Sequence, residues 1–148
     1  MAIIEFTSDT HEVRFFEYME RANFDYADTY ARAFIYVISC DLLARKLDYI
    51  YDLENNRNIY NEEKIAVLSS AERQLIKVAS SIYGLGATET PTIGALVSTL
   101  DPINLEVVRG ALDIFINRGK PLDASFIEQG VRKARANIHK SKLDFRVC

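Results

Sequence analysis

Residues 28–43 read DTYARAFIYVISCDLL, and this stretch decides the fold. Ala31, Ala33, Phe34, Ile35, Tyr36, Val37, Ile38 and Cys40 are apolar almost all the way round a helix. A helix apolar on every face belongs in the middle of a domain. The β-branched Ile35, Val37 and Ile38 keep a buried strand open as a second reading, but the alanines and the length of the run favour helix. The spacing predicts a central helix from about Asp28 to Leu43 or beyond, with Leu43, Leu47, Ile50 and Tyr51 continuing the helical register.

Towards the N-terminus, Asn23-Phe24-Asp25 is a break. Before it, Val13, Phe16 and Glu20 share one side of a helix over about residues 9–22, and Phe15, Met19 and Ala22 share the neighbouring side. Asp9 followed by Glu12 resembles a capping box at its start. Residues Met1 to Phe6 suit a short strand or an extended arm.

Towards the C-terminus, three Asn within residues 55–58 favour a loop over helix. Ser69 with Glu72 three residues on announces a helix whose apolar stripe is Ala71, Leu75, Val78, Ala79 and Ile82, stopped by Gly84 and Gly86. A linker at Thr88–Pro91 leads to a short helix over Thr92–Leu100. Asp101-Pro102 pairs a cap residue with proline at the first helical position. Leu105, Val108, Leu112 and Phe115 then form a stripe, and Gly119 and Pro121 close that helix. Ser125 with Glu128 caps a last helix reaching about Ser141. The expectation is an all-α single compact domain over residues 1–148, built from six or seven helices with short loops, whose basic C-terminal helix and tail occupy residues 124–148.

A chain of 148 residues fits one domain and can bury roughly two-thirds of its unfolded surface without staples. Cys40 lies in an apolar run and Cys148 is terminal, so the two make no disulfide framework. A reducing cytoplasm suits both. No run approaches the roughly 18 apolar residues that span a bilayer, and the N-terminus has no basic region or long apolar core of a signal peptide. Neither a membrane nor secretion is expected.

The charge is split in two. Residues 1–123 carry 12 Lys+Arg against 19 Asp+Glu, and residues 124–148 carry 6 against 2. On the last helix Ile127, Val131, Ala134 and Ile138 make an apolar stripe, with Arg132, Arg135, His139 and Lys142 beside it and Lys133 and Lys140 on the other flank. That helix can dock by one face and show cations on both sides, so Arg132, Lys133, Arg135, Lys140 and Lys142 are the candidates for nucleic acid or an acidic partner. A solvated helix complementing an acidic body, with cations favoured near its C-terminus, explains the same pattern. A sequence pI of about 5.4 disfavours broad phosphate binding.

Seven of the eight tyrosines fall within the first 60 residues. Tyr26, Asp28, Tyr30, Asp48, Tyr49, Tyr51 and Asp52 are the candidates for a rigid acidic protein-binding surface, since tyrosine is favoured at interfaces. An aromatic core with polar rims is the plainer reading of the same residues.

Catalytic patterns are weak. His11 with Cys40 lacks any thiol-site signature, and His11 sits where a surface or capping role is common. Two His and two Cys match no zinc spacing. Glu62-Glu63 and the Asp25/Asp28 pair read as solvated charges. Gly84-Leu85-Gly86 follows a helix rather than a strand, so it makes no phosphate loop. No catalytic residue, metal or cofactor is expected.

Several segments together resemble a family of small proteins of unknown function from Gram-positive bacteria, their phages and their conjugative elements. The matching pieces are Phe6-Thr7-Ser8 with His11 and Phe15-Phe16; Tyr30 with Arg32-Ala33 and Tyr36; Arg45; Ile50-Tyr51-Asp52-Leu53; and, more weakly, Leu68-Ser69-Ser70 before the helix ending at Tyr83. The resemblance spans about residues 6–85. It implies a mobile-element accessory protein and brings no catalytic residue with it. The expected function is non-enzymatic binding to an unidentified protein partner, narrowed by the resemblance to inhibition of a host enzyme or defence complex. A nucleic-acid-associated regulator acting through the basic helix is the alternative, and self-association remains open.

Overall fold

The computed structural model describes residues 2–61, 67–84 and 89–147, the last nine of these as backbone only. The expectations placed on Met1, Glu62, Glu63, Leu85, Gly86, Thr88 and Cys148, and on the side chains of His139, Lys140 and Lys142, lie outside the described residues. Among the described residues there are six α-helices: α1 (Asp9–Ala22), α2 (Thr29–Ile38), α3 (Ser70–Tyr83), α4 (Ile93–Thr99), α5 (Pro102–Ile116) and α6 (Ala124–Val147). A 3₁₀ turn (Leu47–Tyr49) and a small hairpin of β1 (Tyr51–Asp52) and β2 (Arg57–Asn58) lie between α2 and α3. The fold is all-α.

The central helix is α2, as its composition predicts. Residues 31–38 are all buried, and α2 packs against α1, α3 and α5, while α6 lies on α1. It is shorter than its apolar register suggests. The carbonyls that further helical turns would use are taken by side chains of α1. His11 Nε2 lies 2.8 Å from the Tyr36 carbonyl oxygen, the i−4 acceptor that Cys40 would need. The Arg14 guanidinium donates to the Ser39 carbonyl at 2.8 Å. The Cys40 amide turns instead to Val37 at 3.3 Å. Asp41 then accepts from Ser8 (2.6 Å), Thr10 (2.7 Å) and Arg14 (3.0 Å), which fastens the exit of α2 to the start of α1. The helical spacing from Leu43 to Tyr51 is spent on turns that still bury Leu43, Leu47, Ile50 and Tyr51.

Two caps differ from expectation by one or two residues. The α1 N-cap is Ser8, whose hydroxyl accepts from the His11 amide, rather than Asp9. Asp123 caps α6 by accepting from the Ser125 and Phe126 amides at 2.8 and 3.1 Å, rather than Ser125. In both places the true cap lies just outside the pair that a capping-box search picks out. The Ser69–Glu72 capping box forms in full, and Asp101 caps α5 ahead of Pro102.

The Asn-rich loop is a hairpin turn. Tyr51 pairs with Asn58 and Asp52 with Arg57, Asn56 adopts a left-handed conformation at φ 47°, and its side chain donates to the Ala22 carbonyl at 3.0 Å. One asparagine thus shapes the turn and closes the C-terminus of α1. The N-terminal segment is extended, and its strand character is a single parallel bridge between Ala2 and Leu122.

Two glycines permit the closest helix contacts. A Cβ at Gly110 on α5 would land on the buried Tyr36 ring of α2, and one at Gly130 on α6 would land on the buried Phe16 ring of α1. Both rings are fixed from other sides: the Tyr36 hydroxyl donates to the Glu5 carbonyl at 2.9 Å, and Phe16 stands edge-on to Phe15 at 5.1 Å and to Phe126 at 5.5 Å.

Candidate functional site

Helix α5 is apolar on two sides, and the described residues cover only one. Val107, Ala111 and Ile114 are buried against the core, with Gly110 over Tyr36. The stripe read from the sequence lies elsewhere on the helix. Its members Leu105, Val108 and Phe115 are half-buried, and Leu112 is 58 % exposed, with Ile116 at 73 % beside it. Correct apolar spacing therefore marks the outer face, because the residues that α2 buries include a glycine and an alanine and stand out less. Tyr30, 59 % exposed at the start of α2, stands edge-on to Phe115 with ring centroids 5.2 Å apart. Tyr30, Leu112, Phe115 and Ile116 form an apolar surface with one polar tip, of the kind that marks protein contacts. The charges around it are of both signs: Asp28 beside Tyr30, Asp113 next to Leu112, Arg109 along α5 engaged by Glu106 at 3.2 Å, and Arg118, which donates to the Phe115 carbonyl at 3.3 Å.

The seven tyrosine and aspartate candidates do not form one surface. Tyr30 joins the α5 face. Asp28 is exposed, but its carboxylate caps α2 through the Ala31 amide at 3.1 Å. Tyr26 is half-buried and its hydroxyl donates to Glu20 at 3.1 Å; burial, then the nearby Glu20 carboxylate, push this phenol well above its ordinary range. Asp48 and Tyr49 are exposed on the 3₁₀ turn, Tyr49 under the Lys46 ammonium at 5.9 Å. Asp52 serves the hairpin turn by accepting from Asn55 at 2.8 Å. Tyr51 is a correction: at 6 % exposure it belongs to the core, edge-on to Phe34 at 5.1 Å, because the hairpin folds its ring inward.

On α6, Arg132 pairs with Glu128 and Arg135 with Glu20 of α1, each at 3.1 Å. Lys133 is exposed. Ala134 and Gly130 supply the docking side, with Ile127 and Val131 half-buried beside them.

His11 is fully buried, against the expectation of a surface or capping position. Folding inserts it between α1 and the end of α2. The Thr7 amide, a donor, points at Nδ1 at 3.3 Å, so Nε2 carries the proton given to Tyr36 and the ring is held neutral. Desolvation is the main cause that lowers its pKa from 6.5 to about 4. Cys40 is buried, which pushes its thiol up to about 11. Among the described residues no three His, Cys, Asp or Glu side chains lie together as a metal site, and no helix is long and apolar enough to cross a membrane.

Arg32, which the sequence reading named only within the family resemblance, was given no role there. It is the only charge between Thr29 and Cys40, and that isolation within an apolar run was the available signal. It is 4 % exposed, and desolvation draws its guanidinium below the usual range, although arginine stays charged in proteins.

No curated protein and no solved structure matches the chain. The model of a family described as "Family of unknown function (DUF6075)" matches residues 1–101, a stretch that runs from the N-terminal arm through α4 to the cap of α5 and contains the segments that carried the resemblance. The chain belongs to that family.

Proposed function

We propose that the protein is a non-enzymatic binding module whose contact surface is the outer face of α5 together with Tyr30. The observation that carries this reading is the exposure of Leu112 and Ile116 in line with Val108 and Phe115. Leaving two large aliphatic side chains in water on a helix already buried on another side gains the isolated chain nothing. The occupant is a different protein presenting an apolar face with basic residues around it, since the body of this chain is acidic. The sequence resemblance supports a narrower form of the reading, in which a mobile-element protein blocks a host enzyme or defence complex.

The ion pairs of Arg132 and Arg135 favour this reading over nucleic-acid binding through α6, because both cations have carboxylate partners within the chain. The test compares affinity capture by the native chain, by Leu112→Asp/Ile116→Asp and by Arg132→Glu/Lys133→Glu. One partner should be retained by the native chain and the α6 variant and lost by the α5 variant. Retention by the α5 variant, or nucleic acid recovered only with intact α6, overturns the reading. Sedimentation of the native chain as a dimer that the α5 variant abolishes would assign the face to a second copy instead.

A further inference from the structure

Arg32 borders an open cleft of about 450 Å³ between the start of α2 and the loop that joins α5 to α6. This volume lies within the roughly 300–1,000 Å³ range of small-molecule sites. The cleft has Arg118 and Lys120 on its rim, both exposed, and Asp25 as its only carboxylate among the described residues, while Tyr26, Pro121 and Ile127 give it an apolar wall. Among the described residues the Arg32 guanidinium is buried without an ion-pair partner, Asp28 acting on it only through space. No carboxylate of the described residues lies within 4.0 Å of it; one amino group donates to Thr29 Oγ1 at 3.3 Å, and its Nε has no hydrogen-bond partner. The nearest acid by sequence, Asp28, is occupied as the cap of α2. Arg32 also borders a neighbouring cleft whose lining adds one further cation, Arg109, and two acids, Glu5 and Asp113. The excess of positive charge lies on the Lys120 side.

A buried unpaired charge is costly, and the planar guanidinium fork matches phosphate oxygens bidentately. Among the described lining residues Arg32, Arg118 and Lys120 against Asp25 leave the cleft formally positive, which favours an anion such as a phosphomonoester. We propose that this cleft binds a small phosphomonoester, with its phosphate on Arg32 and Lys120 and a compact apolar body against Tyr26, Pro121 and Ile127. The proposal is independent of the protein-binding reading, because the cleft and the Leu112/Ile116 face share no residue.

The probe is phenyl phosphate, titrated calorimetrically at fixed ionic strength and pH 7.5, beside inorganic phosphate, benzoate and chloride. Phenyl phosphate should bind saturably and more tightly than inorganic phosphate. Lys120→Ala, an exposed change, should weaken it several-fold, and Arg32→Met by about ten- to hundredfold, the loss of charge-assisted hydrogen bonds. Lys133→Ala on α6 should change nothing. Thermal unfolding separates binding from a structural role: phenyl phosphate should raise the melting temperature of the native chain and not that of Arg32→Met. If Arg32→Met does not fold, the Lys120→Ala titration decides. Tighter binding of benzoate overturns the phosphate assignment. No saturable binding, or affinity unchanged in Lys120→Ala, overturns the site.

Discussion

The His11 ring closes the end of the helix that contains Tyr36, donating from Nε2 to the Tyr36 carbonyl oxygen across 2.8 Å with no exposure to solvent. The bond requires neutral imidazole on the Nδ1 side, where the Thr7 amide already donates. The pKa of about 4 in the fold lies below the ordinary 6.5 of an unfolded chain. Between these values the unfolded chain binds the proton and the fold does not. Stability from His11 is therefore complete above pH 6.5 and lost as pH falls towards 4, at most on the order of 3 kcal/mol. Urea midpoints between pH 7.5 and 4 should fall along this slope, and His11→Gln should flatten it. Asp41, held below its ordinary 3.8 despite partial desolvation by the Ser8, Thr10 and Arg14 hydrogen bonds, loses its contribution only at still lower pH. The two phases should be separable.

Gly110→Ala and Gly130→Ala should each destabilise the protein. In an exposed helix interior the same change stabilises by up to about 1 kcal/mol. Here the new methyl meets the Tyr36 or Phe16 ring, and overpacking of this kind costs about 1–3 kcal/mol. Chemical denaturation would show it, and a gain in stability at either position would mean that the helices can separate without penalty.

The fold was legible wherever one short motif settles a local question. The apolar run of α2, the Ser69–Glu72 box, and Asp101-Pro102 each produced the element they announce. Legibility failed where tertiary partners decide. The end of α2 depends on His11 and Arg14 reaching from α1, which no local pattern around Cys40 records. The burial of Tyr51 depends on a hairpin whose strands are two residues long. On α5 the more regular apolar stripe proved to be the open one, because close packing against Tyr36 demanded a glycine and left the buried side the less hydrophobic in appearance. Arg32 was visible as an isolated charge, but only its neighbours across the fold, Arg118 and Lys120, turn it into a candidate site.

Cys40 should serve as a native reporter of global unfolding. Its thiol is fully buried and its pKa is raised to about 11, so the thiolate fraction at neutral pH is small and shielded. In a Cys148→Ser chain, a thiol reagent should react at a rate set by unfolding and accelerate with denaturant. Fast stoichiometric labelling under native conditions would show that the segment following α2 opens locally.

The two apolar sides of α5 make opposite predictions about stability. Ile114→Ala, on the side against the core, should cost about 2–5 kcal/mol by losing buried surface and leaving a cavity. Leu112→Asn and Ile116→Asn, on the open side, should change stability by no more than about 0.5 kcal/mol each, since water already reaches most of both side chains. The same open-side changes should weaken capture of the partner protein, where central interface side chains carry more than about 1 kcal/mol apiece. The proposed surface thus predicts that stability and binding separate onto different sides of one helix. If the asparagine variants unfold instead, the face is covered in the isolated chain, and α5 serves the core on both sides.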